Sequence, residues 1–293
     1  MIDVYRVKEL DRETRVYGLI GDPVGHSLSP FMQNAAFTAT GENAVFMHLL
    51  VKDLDAFITR MVKPPTREVE LNFAGFSVTM PHKQAIIRHL DAIDATAAAI
   101  GAVNTVKIEP EGQIAGFNTD AHGFITPLKE RIGDLTGSRV AVVGAGGAAR
   151  ACVFSLKSAG AHVAVFVRDP NSAAAFADQF AVPVKPISNL KSEISDFDII
   201  VNATPVGMKG SLEGQSLFTA GELSGVKFVY ELVSHVDGTP LQHAAKAAGV
   251  PCIGGLEMLI AQGVRQFEIW RDEQKNKGPA GPLFQLKYFD VYV

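Results

Sequence analysis

The stretch RVAVVGAGGAA, residues 139–149, decides the fold that we expect for the second half of this chain. Five residues typical of a strand, Arg139–Val143, run directly into Gly144 and Gly146, and a helix-length segment follows. The spacing fits G-x-G-x-x-A, with Ala149 as the small residue that lets a helix pack close to the strand. The N–H groups and dipole of such a helix N-terminus favour a pyrophosphate. We therefore predict a dinucleotide site; an unliganded strand–helix turn is the alternative.

The end of the next strand predicts which dinucleotide is bound. It reads Val167-Arg168-Asp169, with Arg168 placed 24 residues beyond Gly144. An acid at this point takes the ribose hydroxyls of NAD, whereas an arginine pairs with the 2′-phosphate of NADP. Arg168 favours NADP and Asp169 keeps NAD open. A solvated surface role for Arg168 is the third interpretation.

Strand-like apolar runs alternate with helix-length segments along most of the chain, which predicts an α/β fold with parallel sheets. The predicted strands are Val16–Gly21, Ala44–Leu50, Phe73–Thr79, Arg139–Gly144, His162–Arg168, Asp198–Ala203 and Phe228–Leu232, with a hairpin over Thr105–Asn118. The predicted helices are Pro30–Thr40, Asp53–Val62, His82–Leu90, Ala121–Arg131, Gly147–Ala159, Pro240–Ala248 and Leu256–Trp270.

Two domains are expected from these segments and from the length of 293 residues. An N-terminal α/β domain would occupy residues 1–122, and a Rossmann-type dinucleotide-binding domain would occupy residues 123–255. The last helix would return to the first domain, so residues 256–293 would complete it and leave a ligand cleft between the two lobes.

The composition excludes several classes of protein. A net charge of −4 and a pI near 6.1 argue against nucleic acid or an anionic membrane as the main partner. No apolar run approaches the roughly 20 residues needed to span a bilayer, and the charged beginning of the chain does not look like a signal peptide. The eight histidines show no metal-ligand spacing. We expect a cytoplasmic enzyme that acts on a small-molecule substrate and contains no metal.

Hydroxyl side chains cluster in Gly25-His26-Ser27-Leu28-Ser29-Pro30. Ser29 precedes a proline and is a natural helix N-cap, which would explain it without any function. Ser27 lies two residues earlier and points the same way in an extended chain. Together the two hydroxyls could hold a polyol or a carboxylate.

A second segment, Ser77-Val78-Thr79-Met80-Pro81-His82-Lys83, leads from a strand into a helix that Pro81 would begin. Lys83 would lie in the first helical turn, where the macrodipole disfavours a cation and would promote release of its proton. Such a lysine suits proton transfer to an alkoxide. A surface lysine is the alternative.

The third segment, Gly116-Phe117-Asn118-Thr119-Asp120, opens the helix after the hairpin. Considered alone, Asp120 is best explained as a helix N-cap. Asn104, between small apolar residues, is explained equally well as part of a turn.

Taken together, the segments resemble the shikimate dehydrogenase family. The ordered set GHSLSP, SVTMPHK, IGAVNT, GFNTD, GAGGAAR, NATPVGM and MLIAQ spans residues 25–262. The resemblance implies reversible, NADPH-dependent reduction of 3-dehydroshikimate to shikimate, by a substrate-binding domain and a Rossmann domain.

The resemblance also implies roles for single residues. Lys83 would be the general acid and base, with Asp120 hydrogen-bonded to it and to the substrate. The substrate-binding residues would be Ser27, Ser29, Ser77, Thr79, Asn104, Ser234 and Gln262. The cofactor-binding residues would be Gly144, Ala145, Gly146, Gly147, Ala148, Arg168, Thr204, Met208, Leu232 and Gly255.

Two departures from the family pattern matter. Ser77 stands where single-domain members usually carry asparagine, and its surroundings resemble bifunctional members, which implies a fused or neighbouring 3-dehydroquinate dehydratase. The stretch Tyr230–Val236 lacks the usual Asp-x-x-Tyr-x-Pro, with Glu231 and Ser234 in place of the acid and the tyrosine. Two other functions therefore stay open: a quinate/shikimate dehydrogenase that uses NAD, and a shikimate-binding regulatory homologue with low turnover.

Overall fold

The computed structural model of the chain describes residues 10–63 and 66–271. They form two compact units: the described residues up to Thr119 together with those from Gly263 onward, and Asp120–Gln262. Residues 1–9 and 272–293, which the sequence assigns to the first domain, lie outside the described residues. That one domain binds substrate and the other cofactor stays a prediction.

The first unit contains a mixed six-stranded sheet. Its strands are β1 (Arg15–Gly21), β2 (Ala44–Leu50), β3 (Phe73–Val78), β4 (Ala92–Ile93), β5 (Thr105–Ile108) and β6 (Ile114–Phe117), in the order β2-β1-β3-β5-β6-β4. Strand β1 pairs in parallel with β2 and β3, whereas β5 is antiparallel to β3 and β6. The pairing of β5 with β6 confirms the predicted hairpin. The helices here are α1 (Ser29–Ala39), α2 (Leu54–Phe57) and α3 (Ala95–Ile100).

The second unit contains a sheet of six parallel strands. They are β7 (Arg139–Val143), β8 (His162–Val167), β9 (Val184–Pro186), β10 (Ile199–Asn202), β11 (Phe228–Glu231) and β12 (Cys252–Ile253), in the order β12-β11-β10-β7-β8-β9. Its helices are α4 (Asp120–Ile132), α5 (Gly147–Ser158), α6 (Ala174–Phe180), α7 (Ile187–Glu193) and α8 (Pro240–Ala247). This sheet confirms the predicted Rossmann-type architecture.

Strand β7 shows why the sequence of this sheet is apolar almost throughout. Val140 and Val142 belong to the apolar cluster on one face of the sheet, and Ala141 and Val143 belong to the cluster on the other. Successive side chains of a strand point to opposite faces, so a strand covered on both sides needs an unbroken apolar run.

The last helix, α9 (Gly255–Trp270), begins in the second unit and ends in the first. Trp270 Nε1 donates a hydrogen bond of 3.0 Å to the Val106 carbonyl oxygen of β5, and Phe267 packs on Phe37 of α1 with 5.6 Å between ring centroids. The predicted return of the final helix to the first domain is confirmed.

Two predicted helices differ from the structure. The helix predicted over His82–Leu90 is wrong: turns lead into a 3-10 helix at Ala85–His89. The Lys83 carbonyl oxygen accepts a hydrogen bond of 2.7 Å from the Val103 N–H, which occupies the acceptor that an α-helix would use. The segment predicted over Asp53–Val62 is helical, but it continues beyond α2 as a π-helix at Ile58–Val62.

No helix among residues 10–63 and 66–271 combines the length and the apolar character needed to cross a bilayer.

Candidate active site

The serine pair at the start of α1 does not cap the helix. Ser29 is the first helical residue, Leu28 precedes it, and no side chain caps the helix end. The Ser27 Oγ–H donates to Ser29 Oγ at 3.1 Å, and the Ser29 N–H donates to Ser27 Oγ at 3.2 Å. The N-cap interpretation of Ser29 is therefore wrong, because Ser29 already lies inside the helix and its hydroxyl is paired with that of Ser27. The two hydroxyls lie together, as a site for a polyol or a carboxylate would require.

Lys83 lies outside any α-helix. It follows β3 and the peptide Met80–Pro81 in a run of turns, and its side chain is half-buried. No helix begins at Pro81, so the predicted effect of a helix macrodipole on Lys83 is wrong. Its main chain is fixed by the Val103 hydrogen bond, which ties the turn to the segment just before Asn104. Thr79, the residue after β3, is also half-buried.

Asn104 organises a buried polar cluster between β3 and β6. Its Nδ2 donates to Thr119 Oγ1 at 2.9 Å, while its Oδ1 accepts from the Thr119 N–H at 2.7 Å and from Thr105 Oγ1 at 2.9 Å. The Asn104 carbonyl oxygen accepts from the Val78 N–H at 2.8 Å. Asn104 lies in a bend, as the turn interpretation predicts, and is only 2% exposed. Its amide therefore fixes the main chain that leads to Asp120.

Ser77 is buried beneath this region and faces α9. Its hydroxyl donates to Gln266 Oε1 at 3.0 Å, and Gln266 Nε2 donates to the Asn104 carbonyl oxygen at 3.4 Å. Gln266 was missed from sequence. A signal was available, because it lies four residues after Gln262 and so on the same face of one helix. The substrate-binding role of Ser77 stays a prediction.

Two further predicted residues belong to the second unit. Asp120 is the first residue of α4 and is 5% exposed. Gln262 is 7% exposed, and its Nε2 donates to the Leu259 carbonyl oxygen at 2.8 Å. Their roles stay predictions.

The glycine-rich turn after β7 has the geometry that the fingerprint requires. Gly144 has φ +111, and a side chain there would place Cβ 2.9 Å from the Ala203 carbonyl oxygen. A Cβ on Gly146 would meet nothing within 4 Å, so the space beside the loop is open. Helix α5 begins at Gly147 with no side-chain cap. Its N-terminus is therefore suited to an anion that approaches the main chain. Ala145 and Ala148, in the same turn, are half-buried.

Arg168 and Asp169 follow β8 and are both exposed. Asp169 Oδ1 accepts a hydrogen bond of 3.0 Å from the Asn171 N–H and caps the 3-10 helix at Pro170–Ala173. The aspartate thus has a local structural role at this strand end, which favours Arg168 as the residue that selects the dinucleotide.

A buried carboxylate lies where β10 and β11 end. Glu231 is fully buried, and Asn202 Nδ2 donates to its two oxygens at 3.0 and 3.1 Å. The Val233 N–H donates to Oε1 at 2.9 Å, and the Thr239 hydroxyl donates to Oε2 at 3.1 Å. Burial raises the pKa of Glu231 to about 7, although these hydrogen bonds act to lower it. We call Asn202, Glu231, Val233 and Thr239 the carboxylate network.

The predicted cofactor loops are tied to this network. Asn202 Oδ1 accepts from the Thr204 N–H at 3.0 Å and from the Thr204 hydroxyl at 2.7 Å. The Leu232 N–H donates to the Asn202 carbonyl oxygen at 3.1 Å. A Cβ on Gly255 would lie 2.4 Å from the Leu232 carbonyl oxygen, so only glycine lets α9 begin there. We call residues 203–208 the Thr204 loop and residues 232–233 the Leu232 loop; Met208, at the end of the Thr204 loop, is half-buried.

Sequence reasoning gave no role to Asn202, Glu231 or Thr239. Glu231 was noticed only as a departure from a pattern, since a carboxylate within an apolar strand does not reveal its partners. Ser234, next to Val233, is exposed. Within residues 10–63 and 66–271, no group of three or more His, Cys, Asp or Glu side chains could hold a metal ion.

Three family models match successive parts of the sequence. They describe the shikimate dehydrogenase substrate-binding domain at residues 19–106, shikimate/quinate 5-dehydrogenase at residues 127–208, and the shikimate 5′-dehydrogenase C-terminal domain at residues 255–275. A shikimate dehydrogenase (NADP(+)) from Methanopyrus kandleri is 38% identical over 275 residues, which cover 90% of this chain and 93% of that protein. The chain belongs to the shikimate dehydrogenase family.

Solved structures of the family show the same fold. Shikimate 5-dehydrogenase from Thermus thermophilus, in complex with NADP(H) and shikimate, is 34% identical and has a TM-score of 0.73. The match covers 87% of this chain and 93% of that one. Quinate dehydrogenase from Corynebacterium glutamicum, in complex with NAD, is 30% identical with a TM-score of 0.77, over 88% of this chain and 94% of that one. These matches give no support to the dehydratase partner predicted from Ser77.

Replacing Glu231 with glutamine should remove one pH-dependent part of the stability. The pKa is raised from 4.5 to about 7 on folding, so the unfolded chain releases this proton at a lower pH than the folded protein. Between these values the free energy of unfolding of the wild type falls as the pH rises. Between about pH 5 and about pH 8, the free energy of unfolding of Glu231→Gln should therefore rise by about 2 kcal/mol relative to that of the wild type.

Urea denaturation of both proteins across this pH range measures the difference. Glu222→Gln is the matched control, because Lys191 and Thr219 lower the pKa of Glu222 to about 2, so this acid stays ionised in the folded protein throughout the range. Parallel stability curves for Glu231→Gln and the wild type would contradict the prediction.

Proposed function

We propose that this chain catalyses the reversible, NADPH-dependent reduction of 3-dehydroshikimate to shikimate. The observation that carries the proposal is the similarity to shikimate dehydrogenase (NADP(+)) over 90% of the chain, in both units. The T. thermophilus relative, which binds NADP(H) and shikimate, supports the same pair of ligands.

The second unit fits a dinucleotide phosphate. The open space beside Gly146 and the uncapped N-terminus of α5 suit the pyrophosphate, and the exposed guanidinium of Arg168 suits a 2′-phosphate. We assign the pyrophosphate to the turn Gly144–Ala148, and the rest of the cofactor groove to Thr204, Met208, Leu232 and Gly255. The nicotinamide supplies the hydride when it is bound.

Proton transfer falls to the protein. A ketone that receives a hydride becomes an alkoxide, which needs a proton donor at hydrogen-bond distance. We assign this donor to the ammonium group of Lys83, since a half-buried lysine needs no metal to deliver a proton. Asp120 would orient the lysine and bind the substrate, because a carboxylate accepts hydrogen bonds from both.

The first unit supplies most of the substrate-binding side chains in this proposal. The Ser27–Ser29 hydroxyl pair would bind the substrate carboxylate. Thr79 and Asn104 would bind the ring hydroxyls, and Gln262 would complete the set. Ser77 is almost fully buried and hydrogen-bonded to Gln266, which favours a supporting role beneath the ring over direct binding.

Two alternative functions rest on separate observations. Asp169 and the NAD-bound quinate dehydrogenase relative favour an NAD-dependent quinate/shikimate dehydrogenase. Ser234, which is too short to replace a tyrosine hydroxyl, favours a shikimate-binding regulatory protein with low turnover. Losing one hydrogen bond to a charged group costs roughly 1.5–3 kcal/mol, or about 10- to 100-fold in transition-state binding.

Steady-state rates with the four pairs of shikimate or quinate with NADP or NAD test the proposal. We expect shikimate with NADP to give the highest kcat/KM. A higher value for quinate with NAD would select the first alternative. Binding of shikimate and NADP without any change in nicotinamide absorbance would select the regulatory protein.

Lys83→Ala should lower kcat by about 100-fold or more, because a general acid and base typically contributes 10²–10⁴-fold. Initial rates of shikimate oxidation measure the effect. Lys52→Ala, which removes an exposed lysine of the same unit, is the control and should keep the wild-type rate. An unchanged kcat in Lys83→Ala would remove Lys83 from the assigned role.

Arg168→Ala should raise the Kd of NADP by about 10- to 100-fold and leave that of NAD nearly unchanged, since only NADP carries the 2′-phosphate. Calorimetric titration with both dinucleotides checks this. Asp169→Asn is the companion variant, because asparagine also caps a helix but carries no charge. An equal effect of Arg168→Ala on both dinucleotides would show that Arg168 does not contact the 2′-phosphate.

A further inference from the structure

The carboxylate network joins three segments that leave the sheet at one edge. Asn202 ends β10 and begins the loop of Thr204, while Glu231 ends β11 and begins the loop of Leu232 and Val233. Thr239 is the N-cap of α8 and forms a capping box with Gln242. One side chain, that of Glu231, contacts all three segments.

The three groups of the carboxylate network around Glu231 all donate hydrogen bonds to it. The amide of Asn202, the N–H of Val233 and the hydroxyl of Thr239 fill both oxygens. A carboxylate can accept all these bonds, whereas a protonated acid must turn one oxygen into a donor. The observed network therefore matches the ionised form, and a proton on Glu231 would force at least one of these hydrogen bonds to reverse or to be lost.

We propose that Glu231 is a positioning residue for the cofactor: its carboxylate holds the Thr204 loop and the Leu232 loop in the arrangement that binds NADP. The inference rests on the proposed function, which assigns both loops to the cofactor groove. Glu231 itself acts through Asn202 and Val233.

Glu231 is the one side chain of the carboxylate network that titrates near neutral pH. Asn202 and Thr239 do not ionise. From β12, Cys252 faces Glu231, and burial raises the pKa of this thiol to about 12, so it remains neutral. Because the pKa of Glu231 is raised to about 7, the occupancy of the ionised network changes with pH in the neutral range.

Loss of the Glu231 charge and loss of the loop positions predict opposite changes in the Kd of NADP. Removing a negative charge near an anionic ligand strengthens binding, whereas releasing the loops weakens it. The sign of the change in Kd therefore distinguishes a positioning role from a purely electrostatic one.

The test is calorimetric titration of the full chain with NADP, for the wild type, Glu231→Gln and Glu231→Asp. We expect Glu231→Gln to raise the Kd of NADP at about pH 8 by about 10-fold, because one hydrogen bond to a charged group is lost. The Kd of shikimate, titrated alone, should stay the same. Glu222→Gln, an acid of the same unit outside the network, should bind NADP like the wild type.

The pH profile is the second measurement. The wild-type Kd of NADP should rise as the pH falls through about 7. The Kd of Glu231→Gln should not show the rise that is due to protonation of Glu231. Titration of the 2′-phosphate is common to both proteins and cancels in the comparison. Glu231→Asp keeps an ionisable group, so it should restore a pH dependence even though its shorter side chain reaches fewer donors.

Each outcome bears on the proposal. Equal or tighter NADP binding by Glu231→Gln would overturn it. If that variant does not fold, a wild-type Kd that stays constant from about pH 6.5 to about pH 8.5 would overturn it instead. Failure of the wild type to bind NADP would overturn the proposed function, whereas normal wild-type turnover with an unaltered Glu231→Gln would overturn only the positioning role.

Discussion

Parallel pairing of the strands in the second unit is the constraint on which its site depends. Strands β7, β8, β10 and β11 all run in the same direction, so the segments that follow them leave at one edge of the sheet. Residues that are far apart in sequence meet there: the glycine turn at Gly144, Arg168, Thr204 and Leu232. In open parallel sheets, ligands bind at this edge. Buried apolar strands thereby bring together polar loops that could not hold their positions alone.

That edge contains a group that works against the stability of the fold. Glu231 is a carboxylate within a buried strand, and its raised pKa means that ionisation in the folded protein is unfavourable. An apolar residue would pack in the strand without this penalty, but it could not bind Asn202, Val233 and Thr239. A destabilising buried polar group at the edge where a ligand is expected is typical of a functional site, because such sites keep a required geometry at the expense of stability.

The sequence predicts secondary structure well where an apolar run or a known residue spacing corresponds directly to one element. Long apolar strands such as Ala44–Leu50 and Arg139–Val143 were found within a residue, and the glycine spacing predicted the turn after β7. It fails where a tertiary hydrogen bond decides the outcome: Val103 occupies the Lys83 carbonyl and prevents the expected helix. The carboxylate network could not be predicted for the same reason, since Asn202 and Thr239 reach Glu231 only after the strands have paired.

The two exchanges in the stretch Tyr230–Val236, Glu231 and Ser234, lie three residues apart, at the end of β11 and in the segment that follows it. Glu231 accepts from the Val233 N–H at 2.9 Å, and Ser234 is the next residue along the chain. The acid at 231 therefore holds the main chain of the residue immediately before Ser234. A glutamate is one methylene longer than the aspartate usual in the family, so the exchange of acid and the exchange of tyrosine for serine act on the same loop. Their effects should not be additive, because coupling is expected between residues that act on the same backbone segment.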